Sequence, residues 1–144
     1  MAVKPIPEGY HTVTPYLVVE DVDAELTFIE KGLGAETFVR MPGPDGKTLH
    51  AEFRIGDSIV MIGRASDMYK AVPTSLYIYL PDCDAAYNRA VSAGAKSVRE
   101  LQTQFYGDRS GTVQSPGGIM YSVATHVEDV APEEMQKRMA AMAA

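Results

Sequence analysis

Hydrophobic positions along this chain fall into short extended runs interrupted by one helical stretch, and the whole arrangement occurs twice. After a polar start, residues 12–19 read as a strand. Asp21 is placed to cap a helix in which Val22, Leu26, Ile29 and Leu33 recur at helical spacing, with Gly34 as its stop. Strands are predicted at 37–41, 48–55 and 58–62. The turn Pro42-Gly43-Pro44-Asp45-Gly46 divides the first two, and Gly56-Asp57 the last two. Residues 63–73 have no periodicity and read as a connector. The order then starts again with a strand at 75–80, a helix at 82–93, a stop at Gly94 and a strand at 97–101. Two more strands lie within 105–126. Gly107 and Gly111 bracket a polar bend there, Pro116-Gly117-Gly118 makes a turn, and 119–125 alternates as a half-buried strand does.

The repetition is legible in the residues themselves. Leu17-Val18-Val19-Glu20-Asp21-Val22-Asp23-Ala24 and Ile78-Tyr79-Leu80-Pro81-Asp82-Cys83-Asp84-Ala85 lie 61 positions apart. Both read as an apolar triplet, any residue, Asp, any residue, Asp, Ala. The stops Gly34 and Gly94 lie 60 apart, and the later hairpins return to 61, placing Met61 against Ser122. The chain is therefore read as one α+β domain, 1–144, built from two βαβββ modules at 12–63 and 74–126. A C-terminal helix at 131–143 completes it, with Pro132, Glu133 and Glu134 in its first turn. Met135, Met139 and Met142 form a stripe on that helix, expected to pack on the body or on a second subunit.

Each module buries one sheet face under its helix, and the alternation says which side chains remain on the other face. Ala51, Phe53 and Ile55 belong under the first helix, which sends His50, Glu52 and Arg54 to the open side. Leu76, Ile78 and Leu80 belong under the second, leaving Ser75, Tyr77 and Tyr79 open. By the same parity Thr14, Tyr16 and Val18 are open in the first strand, and Met120, Ser122, Ala124 and His126 in the eighth. Two modules side by side make a cup of eight strands forming a mixed sheet.

Composition narrows the function. A hydrophobic fraction of 46% with 22% charged residues suits a globular domain, and the apolar runs are too short to span a membrane. The opening residues hold no apolar run of the secretory kind, and Cys83 is the one cysteine, so a cytoplasmic location is expected. That lone cysteine also excludes an internal disulfide and a cysteine-based zinc site. A net charge of −6 without a basic cluster argues against nucleic acid as a partner. No phosphate-binding glycine motif, nucleophile elbow or HExxH pattern is present.

The candidate chemistry lies on the open faces. His50 and Glu52, two apart on one strand, are neighbours that can act as an acid–base pair or sit as a satisfied polar pair with Arg54. Tyr16, Tyr77 and Tyr79 offer rings to a planar or cationic ligand. Tyr106, Asp108 and Arg109 lie at a mouth-like bend, where the Asp–Arg pair is expected to lock a turn.

Residues 106–111 read YGDRSG and 124–126 read ATH. Between them the turn is Ser115-Pro116-Gly117-Gly118-Ile119, followed by Tyr121. This wording resembles the vicinal-oxygen-chelate superfamily of glyoxalase, bleomycin-resistance and extradiol-dioxygenase proteins, especially its PhnB-like branch. In that branch the same two phrases flank an Asp-Pro-Phe-Gly-His turn and a tryptophan. The resemblance implies the same eight-stranded cup. Members that bind a divalent ion take ligands from four cup positions, which map here onto Thr14, Met61, Ser75 and Ser122. These offer no anionic or imidazole donor, so no metal and no other cofactor is expected.

Two functions follow as expectations. One is a metal-free binding protein for a small aromatic or cationic molecule, with Tyr16, Arg54, Tyr77, Tyr79, Tyr106 and Ser122 in contact with it. The other is an enzyme of the lyase, isomerase or dioxygenase type working through His50 and Glu52 or through a non-standard metal site. A homodimer is expected to cover the sheet edges and the methionine stripe.

Overall fold

Local signals place nearly every element where the alternation predicts it. The computed structural model describes residues 2–143. The first module runs β1 (Tyr16–Val19), α1 (Val22–Leu33), β2 (Glu36–Pro42), β3 (Thr48–Ile55) and β4 (Ser58–Arg64). The second runs β5 (Ser75–Tyr79), α2 (Cys83–Ser92), β6 (Lys96–Thr103), β7 (Asp108–Gln114) and β8 (Met120–His126). A last helix, α3 (Pro132–Ala143), follows. β1 starts later than position 12, because Pro15 has no N–H to give a ladder. Thr14 thereby falls just outside the strand.

Both module helices are capped by the repeated aspartates. Asp21 accepts the Ala24 N–H at 3.0 Å and Asp82 the Ala85 N–H at 3.1 Å, each cap stabilising its helix by about 1 kcal/mol. The C-terminal ends differ. Gly34 closes α1 in the left-handed region at φ 69°, whereas Ala93 caps α2 and the left-handed residue is Gly94, one position on, at φ 110°.

The eight strands form two four-stranded mixed sheets, ordered β1-β4-β3-β2 and β5-β8-β7-β6. The first-listed pair of each is parallel and the rest antiparallel. Tyr16 lies opposite Met61 and Tyr77 opposite Ser122, so the two sheets superpose in register. The single cupped sheet expected from the sequence is thus realised as two sheets, one per module.

The core lies between sheets and helices. Leu17, Val19, Ala51, Phe53 and Ile62 are buried beneath α1, and Val113, Tyr121 and Val123 on the helix side of the second sheet, as the strand parity requires. α1 and α2 meet where Gly32 approaches Ala90. A Cβ on Gly32 would lie 3.1 Å from the Ala90 Cα, which sets how closely the helices can pack.

A buried carboxylate joins the modules. Glu25 of α1 has no solvent exposure and accepts the Gly117 N–H at 2.9 Å and the Tyr121 hydroxyl at 2.8 Å. A side chain at 117 would put its Cβ 2.5 Å from Glu25 Oε1, so this turn needs glycine. Burial, together with the Glu25 charge, pushes the Tyr121 phenol well above its ordinary range and keeps it a donor.

α3 is held mainly by Arg138, which donates to the Phe105 carbonyl and to both carboxylate oxygens of Glu128, each at 2.9 Å. No α3 residue is fully buried; of the methionine stripe Met135 is half-buried, and Met139 and Met142 are left exposed by the body of the chain. No helix among the described residues is long and apolar enough to cross a membrane.

Candidate ligand-binding faces

Alternation along β1, β3 and β4 puts Tyr16, His50 and Glu52 on the face of the first sheet turned away from α1. They form a chain of hydrogen bonds. His50 Nε2 lies 2.9 Å from Glu52 Oε2, and Tyr16 Oη 3.3 Å from His50 Nδ1. An ionised carboxylate only accepts, so His50 donates from Nε2 and can accept the Tyr16 hydroxyl at Nδ1. The Tyr16 and His50 rings lie 5.7 Å apart. Gly63, opposite His50, leaves the space for this: a Cβ there would lie 2.5 Å from Tyr16 Oη.

The other oxygen of Glu52 accepts the hydroxyl of Tyr10, from the segment preceding β1. Burial pushes the Glu52 carboxyl up, but hydrogen bonds from Tyr10 and His50 outweigh it, and the net shift is downward. The same bond raises the Tyr10 phenol. Arg54 takes no part in this network. It lies over the Phe38 ring, 5.0 Å from the centroid. Beside Tyr16, a cavity of about 300 Å³ is lined by Val18, Gly63, Arg64 and Tyr69.

The second module carries a different cluster. Tyr77 and Tyr79 stand two apart on β5 with their rings 5.2 Å apart at 64°, edge to face. Both donate to Oδ2 of Asp108, at 2.7 and 2.9 Å. Asp108 is only 3% exposed, and its other oxygen lies 2.8 Å from His126 Nδ1. His126 Nε2 reaches Asp129 at 2.7 Å.

With a carboxylate on each ring nitrogen, His126 is raised above its ordinary value, first by Asp108 and then by Asp129. Burial pushes Asp108 up, but bonds from His126, Tyr77 and Tyr79 hold it below its ordinary value. Tyr77 is raised by burial, then by Tyr106 and Asp108; Tyr79 is raised by Asp108 first. Both tyrosines therefore remain donors. Tyr77 and Tyr79 line a groove of about 570 Å³ that also touches Pro15, Ile55, Ser58 and Val60 of the first module.

The structure thus brings Tyr16, His50 and Glu52 together, and separately Tyr77, Tyr79 and Tyr106. Among the described residues, no side-chain hydrogen bond or ring pair joins the two groups. Ser122 is bonded to Thr112 at 2.7 Å. Asp108 and Arg109 do not lock a turn against each other. As neighbours on one strand they point to opposite faces, and Arg109 pairs with Asp84 at 2.7 and 3.0 Å.

Sequence reasoning missed Tyr10, and it missed Asp108 and His126 as members of one network. The parity of His126 was readable, but its partner is set by the β7–β8 register, which places the two residues directly opposite. Nothing in the local pattern around Tyr10 signals its role.

The superfamily's metal positions do not fit a divalent ion here. Thr14 donates to the His11 carbonyl, Met61 supplies a thioether, and Ser75 and Ser122 supply only hydroxyls. No group of three His, Cys, Asp or Glu side chains converges to hold a metal among the described residues.

Comparison with known proteins agrees with this architecture. The sequence model described as the Glyoxalase/Bleomycin resistance protein/Dioxygenase superfamily matches residues 10–123. An uncharacterized protein of Mycobacterium bovis is 33% identical over 138 residues, covering 88% of this chain and 91% of that protein. Among solved structures, TioX from Micromonospora sp. ML1 is similar with a TM-score of 0.72 at 24% identity, over 81% of this chain and 99% of that one. The fosfomycin resistance protein FosX from Mesorhizobium loti is similar with a TM-score of 0.59 at 17% identity, over 80% and 91% of the two chains.

Proposed function

The chain belongs to the glyoxalase/bleomycin resistance/dioxygenase superfamily, and from that premise we propose that it binds a small aromatic or cationic molecule without a divalent metal. One observation carries the reading. Tyr77 and Tyr79 are fixed by a buried carboxylate, yet remain 45% and 61% exposed above a groove. Rings held this way, with an anion behind their hydroxyls, present electron-rich faces to a cation at little cost in side-chain entropy.

The test is a calorimetric titration with benzyltrimethylammonium, an aromatic cation. Saturable binding that weakens about tenfold in Tyr79→Ala, the scale of a cation–π contact, supports the reading; absence of saturable binding overturns it. Elemental analysis of protein purified without chelator tests the metal-free part. About one zinc, nickel, manganese or iron per chain would refute it.

A second reading rests on the Tyr16–His50–Glu52 chain, in which the carboxylate orients the imidazole as in general acid–base sites. In that reading the protein is an enzyme, and Glu52→Gln abolishes turnover while sparing the fold. We further propose membership of the PhnB-like branch, a cytoplasmic location and a homodimer. The dimer is supported by the uncovered Met139 and Met142. Light scattering that gives a monomer mass at micromolar concentration would refute it.

A further inference from the structure

The segment before β1 lies across the open face of the first sheet. Residues 7–10 form a turn closed by the Tyr10 N–H on the Pro7 carbonyl at 3.0 Å. Gly9 sits in the left-handed region at φ 85°, and a Cβ built on it would lie 3.6 Å from Ile59 Cδ1. Ile59 is on the same face as Glu52 and Met61, and it is buried there although Tyr16 on that face is not. Tyr10 completes the arrangement by giving its hydroxyl to Glu52 Oε1.

The carboxylate's two oxygens are thus divided. Oε2 faces His50, an internal partner on the same strand, while Oε1 faces a residue supplied by a strap. What the strap supplies is an aromatic ring with one neutral O–H donor. We propose that Tyr10 stands in for a ligand. On this view the β3–β4 face binds a small phenol whose hydroxyl replaces that of Tyr10 on Glu52, and residues 7–10 must lift away when it binds. This deepens the small-molecule-binding reading and rests on it, but uses the first module rather than the tyrosine pair of the second.

The chemistry at Oε1 selects the ligand class. An acceptor-only oxygen requires a donor, and a hydroxyl beside a ring reproduces what is already seated there. The strap sets the affinity, because a ligand that needs it displaced binds more weakly by the fraction of time the face is free.

The experiment uses para-cresol, which is the tyrosine side chain itself, and toluene, which lacks the hydroxyl. Each is titrated into the full chain as wild type, Tyr10→Ala and Tyr10→Ala with Glu52→Gln, with thermal melts confirming that all three are folded. Para-cresol is expected to bind Tyr10→Ala about tenfold or more tightly than wild type, to exceed toluene clearly, and to lose about tenfold when Glu52 is also changed. In wild type saturated with para-cresol, amide exchange at Tyr10 is expected to accelerate as the turn opens.

Equal affinity for wild type and Tyr10→Ala overturns the competition. Folded Tyr10→Ala that binds no para-cresol, or binds toluene as well, overturns the phenol class. Unchanged exchange at Tyr10 in saturated wild type overturns the displacement. None of these outcomes bears on the benzyltrimethylammonium titration, whose failure would be seen separately.

Discussion

The two modules share a scaffold and differ in the chemistry mounted on it. Tyr16 and Tyr77 occupy the same place, on the first strand of each module and opposite Met61 and Ser122 respectively. Across the hairpins, His50 faces Gly63 and Ser110 faces Ala124, so Ser110 stands where His50 stands in the first module, and Thr112 where Glu52 does. The tyrosine therefore finds different partners. In the first module it reaches His50 over the bare Gly63; in the second, where Ala124 replaces that glycine, it turns to Asp108 at the far end of β7. Duplication preserves the direction in which strands point their side chains, because that depends on period alone. It does not preserve what those side chains meet.

The largest expected effect tests whether the modules can be treated separately. Glu25→Ala removes the carboxylate that ties α1 to the β7–β8 turn and leaves the Gly117 N–H and Tyr121 hydroxyl buried without an acceptor. A loss of about 3–5 kcal/mol is expected, the range for breaking one side of a buried charged network. Urea unfolding followed by tyrosine fluorescence should show one cooperative transition moved to lower urea. Two separated transitions already present in the wild type would mean that the modules unfold independently.

The next effect contrasts the two carboxylates. Asp108 is nearly inaccessible and takes three donors, so Asp108→Asn is expected to cost about 2–3 kcal/mol in urea unfolding. Glu52 takes two, one of them from a strap, and Glu52→Gln is expected to cost about 1 kcal/mol. If the costs are reversed, the Glu52 network is the more tightly built of the two.

A smaller effect is the pH dependence expected from the Asp108–His126–Asp129 cluster of the second module. His126 is raised above its ordinary 6.5. Its contribution to stability is fully present below 6.5 and is lost as pH rises through the folded-state value. Asp108 is lowered from 3.8, so its contribution is present above 3.8 and is lost as pH falls through its folded-state value. Thermal melts of wild type should therefore weaken on going alkaline through the neutral range, and His126→Gln should lack that component. Identical profiles would remove the Asp108–His126–Asp129 arrangement from the account.

The smallest effect probes the glycine that distinguishes the two tyrosines. Gly63→Ala should push Tyr16 off His50 with a stability change below about 1.5 kcal/mol, since the ring can swing toward solvent. The check is the nitrogen-15 shift of His50 Nδ1, which should move toward that of an unbonded nitrogen. No shift would mean that the 3.3 Å contact is not a working hydrogen bond.

Much of this architecture was written in the chain order. Alternation in 48–55 and 75–79 separated the helix-facing residues from the open ones correctly, so Ala51 and Phe53 are buried while His50 and Tyr77 face away. The repeated aspartates named both helix starts. Period and capping are properties of a few consecutive residues, which is why they survive without knowledge of the fold.

The candidate sites obey no such local rule. Tyr10 meets Glu52 across 42 positions, Tyr77 meets Asp108 across 31, and Glu25 meets Tyr121 across 96. The Asp108–His126 pair exists because a five-residue connection fixes the β7–β8 register, and a slip of one residue would send one of them to the other face. Which residues share a face was determined by the sequence through its period. Which of them touch was decided by hairpin register, by the path of the strap and by the packing of α1 against α2, and these exist only once the chain has folded.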